Sequence, residues 1–477
     1  MPGSECNPPV IEHRPVNRRS FFRQTTAAAA AALPLTAASY ARVPGSNRSL
    51  RIAFLGCGAR AQAHIHLVQK LARETGAVAA VAVCDVWDGL EETYEHRFGK
   101  TISQRNYSQG LYPSARKCGL DPDNPTHVVK DYRRLLDRKD VDAVCIATPD
   151  HWHGRMCLDA AAAGKDLFVE APMTRTAAEA IELLTVLNRT ERVCTVGIQS
   201  LADPIGSVVA ERIQAGVIGP LVHVSAGVFR SDPRGQWRFY RLSEAMNPAT
   251  IDWDLFLGHR FEVRGCPIGP TPEQCPFDAA TFAQWRCDSR FSGGPFTDFY
   301  YHPVCRLLRG TGLRFPGRVA AAGGLFHEHD GRDVADVATI AADFWEGCQL
   351  LISGSTVNDT AAEEQIRGRL GSIRLGKGWY EIFREEATEK LTVTPPRNET
   401  EALWRDFLDC VGRRDRQTLA PPEIGAAAVV IVALAEQSLR TGRAWLWDAA
   451  QGRAVADEGQ WLRTWLQRSR DGSPCKI

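Results

Sequence analysis

From Ser49 onward, short apolar runs alternate with amphipathic stretches. "SLRIAFLGCGARAQAHIHLVQKLARE" reads as a strand, a glycine turn and a helix, and "AVAAVAVCD" as a second buried strand ending on Asp85. A polar, turn-rich segment at about 99–127 interrupts the rhythm before a short helix in "DYRRLLDRKD". The apolar strand "VDAVCIATPD" then feeds the helix "HWHGRMCLDAAAAGK", with Gly164 at its C′ position. "DLFVE" is another strand, and "TAAEAIELLTVLNR" a helix opened by a capping box of Thr176 and Glu179. "RVCTVGIQ" closes the series. Strands alternating with helices predict parallel β-α-β units in a doubly wound sheet over residues 50–199. From 200 to 477 the rhythm changes. "LVHVSAGVF", "VATIAADFW", "QLLISGSTV" and "GSIRLG" alternate with period two and have few helices between them. They predict an α+β domain with a large, mostly antiparallel open sheet, followed by helices in "ALWRDFLDCVGRRD" and "AAAVVIVALAEQSLRTGR".

Residues 1–41 do not fit this pattern. Arg18 and Arg19 precede Ser20, Phe21 and Phe22 and then an Ala-rich run, which predicts an export signal of the twin-arginine type with cleavage after Ala41 or Ala38. A Gly/Ser/Pro linker follows at 42–49. The expected location is therefore periplasmic, and a chain exported already folded suits a protein that acquires its cofactor in the cytoplasm. No other apolar run is expected to reach the roughly 18 residues of a membrane span. The 477 residues carry a net charge of +1, so charge gives no reason to expect nucleic acid or an anionic membrane as partner. The fourteen cysteines contain no C-x-x-C. Cys266, Cys275 and Cys287 fall in a Pro-rich stretch where an oxidising compartment permits a disulfide. "HEHD" (327–330) lacks a spaced third partner, and no metal site is expected.

The chemistry-bearing motif is Gly56, Cys57, Gly58, Ala59, Arg60, Ala61, a G-x-G-x-x-A turn between strand and helix. Glycine permits the tight turn and close backbone approach, and a helix N-terminus offers N–H groups to a diphosphate. Asp85, ending the next strand, is placed to accept both ribose hydroxyls and to repel a 2′-phosphate, so NAD is expected over NADP. Thr148, Pro149, His151, Trp152 and His153 leave a later strand's carboxyl end and are candidates for the nicotinamide side, with Glu170, Ala171 and Gln199. "QWRFYR" (236–241) and "AQWRCDSRFSGG" (283–294) carry Trp237, Arg238, Tyr240, Trp285 and Arg286, which suit either a sugar-binding wall or an aromatic core stripe.

"RIAFLGCGARA", "DAVCIATPDHWHGRMCLDAAAAGKDLFVEAP" and "IDWDLFLG" resemble the glucose–fructose oxidoreductase/inositol dehydrogenase/MocA (Gfo/Idh/MocA) family in its twin-arginine-exported branch. The resemblance implies a Rossmann domain, a second domain with an open sheet, homo-oligomers, and NAD(P)-linked chemistry on a sugar or polyol. Members typically carry Glu-Lys-Pro where this chain has Glu170-Ala171-Pro172, so the usual proton donor is missing. A second family motif, Asp-x-Gly-x-His, falls on Asp298 and His302 with Tyr300 replacing the glycine. Three readings follow. In the first, a dehydrogenase, His302 is the general base or acid, oriented by Asp298, and Tyr300, Tyr301 or a bound water does the missing lysine's work. A related branch consists of NAD-dependent glycosidases that oxidise the sugar transiently. The third reading is a non-catalytic NAD- or sugar-binding homologue.

Overall fold

The computed structural model describes residues 49–98, 101–360, 362–385 and 387–470. The expected export signal at 1–41 and nearly all of the expected linker lie outside the described residues. The first part is built from β1 (Leu50–Leu55), α1 (Ala59–Thr75), β2 (Val78–Cys84), a hairpin of β3 (Leu90–Phe98) and β4 (Thr101–Gln109), α2 (Leu111–Lys117), β5 (Val128–Val129), α3 (Arg133–Leu136), β6 (Ala143–Ile146), α4 (Asp150–Ala162), β7 (Asp166–Glu170), α5 (Ala177–Thr190) and β8 (Cys194–Gly197). Six of these strands form one parallel sheet in the order β5-β2-β1-β6-β7-β8, the doubly wound order of a Rossmann fold. Its central strands bury apolar runs (Ile52–Leu55 of β1; Ala143, Val144, Cys145 and Ile146 of β6), as a sheet covered on both faces requires.

After α6 (Ile205–Gln214), the chain enters β9 (Leu221–Phe229), α7 (Trp253–Leu257), the short pair β10 (Glu262–Val263) and β11 (Cys266–Pro267), α8 (Ala279–Ala283) and α9 (Tyr301–Thr311). Then follow β12 (Arg318–Gly324), β13 (Val337–Asp343), β14 (Gln349–Ser355), β15 (Glu364–Gly368), β16 (Ser372–Gly376), β17 (Trp379–Arg384) and β18 (Ala387–Thr392). The last elements are α10 (Glu399–Arg413), α11 (Pro422–Thr441), β19 (Trp445–Asp448), β20 (Arg453–Ala456) and α12 (Gln460–Arg470). Ten strands join in the order β18-β17-β16-β15-β9-β14-β13-β12-β19-β20, antiparallel except where β9 runs parallel to β14. Along β13 alternate residues Ala338, Ile340 and Ala342 are buried, and α11 packs on β12, α5 and α9.

Two features differ from expectation. The segment after Asp85 is not only turn: β3 and β4 form a nine-residue-per-strand hairpin standing apart from the main sheets. Helix α11 is long and apolar enough to cross a membrane, contrary to the expectation of no such run, yet 78% of its apolar window is buried within the protein. It is the core helix against which both parts pack.

Close helix packing explains one glycine. A Cβ on Gly154 of α4 would stand 2.6 Å from the Glu179 carboxyl carbon, so α4 and α5 meet only because that side chain is absent. Glu179 in turn accepts the Thr176 N–H (2.8 Å) while the Thr176 hydroxyl accepts the Glu179 N–H (3.3 Å), completing the capping box. Thr176→Ala should lower unfolding free energy by about 1 kcal/mol, read as a shift of the denaturant midpoint at unchanged slope.

Candidate functional site

β1 ends where Gly56 takes φ +85°, and a Cβ there would lie 2.7 Å from the Ala147 carbonyl oxygen at the end of β6. Only glycine admits this approach of turn to strand. Gly58 caps α1 without any side-chain cap, and nothing lies within 4 Å of the Cβ it lacks. The head of α1 thus faces open space with its first-turn N–H groups uncapped, which is the physical requirement for holding a diphosphate. Asp85 accepts the Cys57 N–H (2.6 Å) and the Trp87 N–H (2.9 Å), so its carboxylate is fixed beside the turn. Burial raises its pKa to about 6 against the opposing pull of those two N–H groups. Two carboxylate oxygens offer about four acceptor positions, so capacity for ribose hydroxyls remains.

A cleft of about 1040 Å³ runs from Asp85 past Gly56, Gly58, Ala59 and Arg60 to Thr148, Pro149, Trp152, His153, Glu170 and Ala171. These residues fit a dinucleotide: an acceptor at one end, an uncapped helix in the middle, a second strand end beyond. At the far end both ring nitrogens of His153 meet carbonyls, Nδ1 with Pro172 (2.6 Å) and Nε2 with Thr148 (2.9 Å), tying the β6 and β7 loops together. The buried Glu170 carboxylate accepts from Arg60 Nε (2.8 Å), His64 Nε2 (2.7 Å) and the Ala171 N–H (3.3 Å). Burial opposes its ionisation, but the hydrogen bond from His64 and the charge of Arg60 prevail and hold its pKa down to about 2. The indole N–H of Trp404 on α10 donates to His64 Nδ1 (2.9 Å). Because indole only donates, His64 carries its proton on Nε2. Burial also lowers the proton affinity of this ring.

The opposite wall comes from the second part of the chain. Phe239, Tyr240, Arg241, Phe282, Trp285 and Arg286 line it. The Arg286 guanidinium lies 4.1 Å from the Trp285 ring centroid and 5.5 Å from that of Tyr240. Its Nε donates to Asp298 (3.2 Å), which also accepts from the Trp237 indole (2.7 Å). At the Asp85 end the two parts are bonded directly. Asp252 N–H donates to Val86 O (2.9 Å), Asp88 N–H to Thr250 O (2.9 Å) and the Trp87 indole to Ala245 O (3.0 Å). Arg241 pairs with Glu92 on β3 and lies over the rings of Tyr94 (4.6 Å) and Tyr107 (5.8 Å), so the hairpin is pinned beside the cleft.

Residues 50–198 match the family described as "Oxidoreductase family, NAD-binding Rossmann fold" (GFO_IDH_MocA). The match covers this first domain, and NAD is its cofactor. Among curated proteins the chain is similar to the alpha-N-acetylgalactosaminidase of Shewanella oneidensis, 26% identical over 252 residues, which is 47% of this chain and 50% of that protein. The chain therefore spans about half the length of the curated relatives it matches. Two solved structures share the fold across most of the chain. The aldose-aldose oxidoreductase of Caulobacter crescentus is 17% identical with TM-score 0.56, covering 83% of this chain and 99% of that one. The WlbA dehydrogenase of Bordetella pertussis, solved with NADH and UDP-GlcNAcA, is 16% identical with TM-score 0.57, covering 83% and 98%.

Not every residue expected at a Gfo/Idh/MocA cofactor site lies in the cleft. Cys57 and Ala61 are buried behind the turn, and Cys57 contributes only its N–H to Asp85. His151 points away: its Nε2 bonds Phe256 O (2.9 Å), its ring packs on Phe291 (centroids 4.9 Å apart), and burial lowers its pKa to about 3. Gln199 donates to Gly197 O (2.6 Å) and does not line the cleft. Tyr301 is wholly buried; its hydroxyl donates to Gly425 O (3.1 Å) and accepts the Met173 N–H (3.3 Å), so it is a core residue. The Tyr300 hydroxyl likewise donates to Ala338 O (3.1 Å). Asp298 does not bond His302 but steers Arg286, because residues Phe296–Tyr300 form a π turn ahead of α9. Burial lowers the proton affinity of His302, while the charges of Asp298 and Glu170 act in the opposite sense. Cys266, Cys275 and Cys287 are free thiols, the last two buried. Trp237 is core, and Arg238 is held by Asp330 (2.9 Å). His64, Trp404 and the β3–β4 hairpin escaped sequence reasoning, since nothing local marks a partner so distant in the chain.

The Asp85 geometry sets a pH dependence. Ribose hydroxyls need the ionised carboxylate as acceptor, so bound NAD favours the deprotonated form. Affinity for NAD should be constant above about pH 7 and weaken as pH falls through about 6. Calorimetric titration checks this, together with tighter binding of NADH than of NADPH at neutral pH.

Proposed function

We propose that this chain is an exported enzyme that keeps NAD resident and acts on a sugar glycoside in a redox-neutral cycle. The observation that carries this reading is the closure at the Asp85 end of the cleft. Three hydrogen bonds from 245–252 to the loop after β2, with the Arg241–Glu92 pin, hinder exchange of a dinucleotide between turnovers. A net dehydrogenase must release its cofactor every cycle, whereas a redox-neutral enzyme need not. The similarity to an alpha-N-acetylgalactosaminidase supports the same class. Export of the folded chain through a twin-arginine signal also suits a cofactor already bound.

Bound NAD would supply a reversible hydride acceptor, so that a transiently oxidised sugar carbon acidifies its neighbouring C–H and the glycosidic oxygen can be eliminated. Asp85 and the head of α1 would hold the ribose and diphosphate. Trp285 and Tyr240 offer flat faces to sugar C–H groups, and Arg286, oriented by Asp298, offers donors to a sugar oxygen. Ala171 contributes no proton, so the proton of the oxidised hydroxyl must pass to another group. His302 does not itself line the cleft, but the charges of Glu170 and Asp298 act on it, and it is assigned that role.

Denaturing the purified protein should release close to one NAD per chain, and an aryl glycoside should be cleaved without accumulation of NADH. NADH accumulating with a free sugar would make the chain a net dehydrogenase. A sugar-dependent spectral change without turnover would make it a binding protein. Arg241→Ala should speed NAD release about tenfold through loss of the pin. An unchanged release rate would remove the Arg241 pin from the argument.

A further inference from the structure

Glu170 is the residue beside Ala171 whose charge no cleft-side lysine balances. It is held by donors from three directions: Arg60 on α1, the Ala171 N–H, and His64, itself fixed by Trp404 on α10. Next to it, Gly197 on β8 has no room for a Cβ, which would stand 2.6 Å from Glu170 Oε1. The carboxylate therefore has one position. We infer that Glu170 is a fixed negative charge at the nicotinamide end of the cleft that makes this protein hold oxidised NAD+ in preference to NADH. This rests on the reading of NAD as a resident cofactor, and it deepens that reading by assigning the resting redox state.

The oxidised nicotinamide ring carries a positive charge that the reduced ring lacks, so a nearby carboxylate stabilises one form selectively. Arg60 does not cancel this preference in full. Its side chain is 37% exposed against 10% for Glu170, so water screens the cation more than the carboxylate. His64 adds no charge, because Trp404 occupies Nδ1 with a donor that cannot accept. The charged groups bearing on His64 are Glu170 and Arg60; Phe168 and Trp404 supply its ring contacts. A cofactor resting as NAD+ is the form that can begin a cycle by oxidising the sugar.

The test equilibrates the full chain with equimolar NAD+ and NADH, removes free nucleotide, and measures the bound ratio from the near-ultraviolet absorbance of released NADH. Wild-type protein should retain mainly NAD+. Glu170→Gln, isosteric and able to keep the Arg60 and His64 bonds through its Oε1, should shift the ratio toward NADH about tenfold. Ala171→Lys, adding a cation one residue away without touching the buried network, should shift it the same way. Trp404→Phe frees Nδ1 of His64 to take a proton, so its bound ratio should move toward NADH at pH 6 relative to pH 8 by more than in wild type. Bound nucleotide in every protein, with unaltered ratios in Glu170→Gln and Ala171→Lys, would overturn the inference and leave the resident cofactor standing. A pH profile matching wild type in Trp404→Phe would remove Trp404 and His64 from the device. No nucleotide retained by any of them would instead defeat the reading beneath it.

Discussion

A single buried carboxylate ties the site to the rest of the chain. Isolated in the interior, Glu170 would carry a desolvation cost of several kcal/mol. Here it accepts from Arg60 and His64, both on α1, and from the Ala171 N–H, and Trp404 secures His64 from a helix that begins at Glu399. The indole of Trp404 stacks on Phe168 of β7 (centroids 4.3 Å apart, planes 9° apart), so the same strand that presents Glu170 also seats the group that orients its histidine. β8 runs alongside with glycine at 197 because nothing larger fits against the carboxylate. Four elements far apart in sequence are thus mutually fixed at the floor of the cleft. The nicotinamide end is rigid for that reason, whatever the outer loops do.

The other end of the cleft is closed by a different means. Around Glu170 the bonds are buried and charge-assisted. Around Asp85 they are two backbone bonds and one indole N–H bond between the loop after β2 and residues 245–252, with one ion pair at a half-exposed hairpin. Exposed ion pairs contribute little individually. Backbone bonds joining two parts of the chain must break together for the cleft to widen. Retention of a cofactor therefore depends on the joint opening of that seam more than on Arg241 alone, whereas its orientation depends on the Glu170 floor.

Much of this was legible where the signal is local. The glycine turn, Asp85 and the Thr176–Glu179 capping box are short-range patterns whose chemistry demands those residues at those spacings, and each appears in the structure as a bond or a steric limit. Ala171 was equally plain, being a departure from a three-residue motif. The "HWH" segment shows why more was not readable. On a helix, residues two apart point about 200° from one another. Only one of His151 and His153 can face the cleft, and the sequence does not say which; packing against Phe256 and Phe291 takes His151. Residue type did not reveal His64, whose partner Trp404 lies 340 positions away. The polar β3 sequence "LEETYEHRF" lacks a clean alternation, and Glu92 and Tyr94 within it serve the pin to Arg241.

Asp298 shows how a motif can persist in sequence while its partner changes. The π turn at Phe296–Tyr300 and the indole of Trp237 direct its carboxylate to Arg286 on the far wall, away from His302. With alanine at 171, the first domain offers no cleft-side lysine at that position, and the second part of the chain offers a guanidinium instead. The two cations are not equivalent. A lysine can bind a sugar oxygen and also exchange a proton with it, whereas an arginine remains protonated throughout and can only hold. In the proposed cycle, substrate binding and proton transfer would therefore fall to different residues. The Asp298–Arg286 pair would hold, and the proton would pass to another side chain. In that proposed cycle the group is His302, whose proton affinity burial lowers while the charges of Asp298 and Glu170 act in the opposite sense.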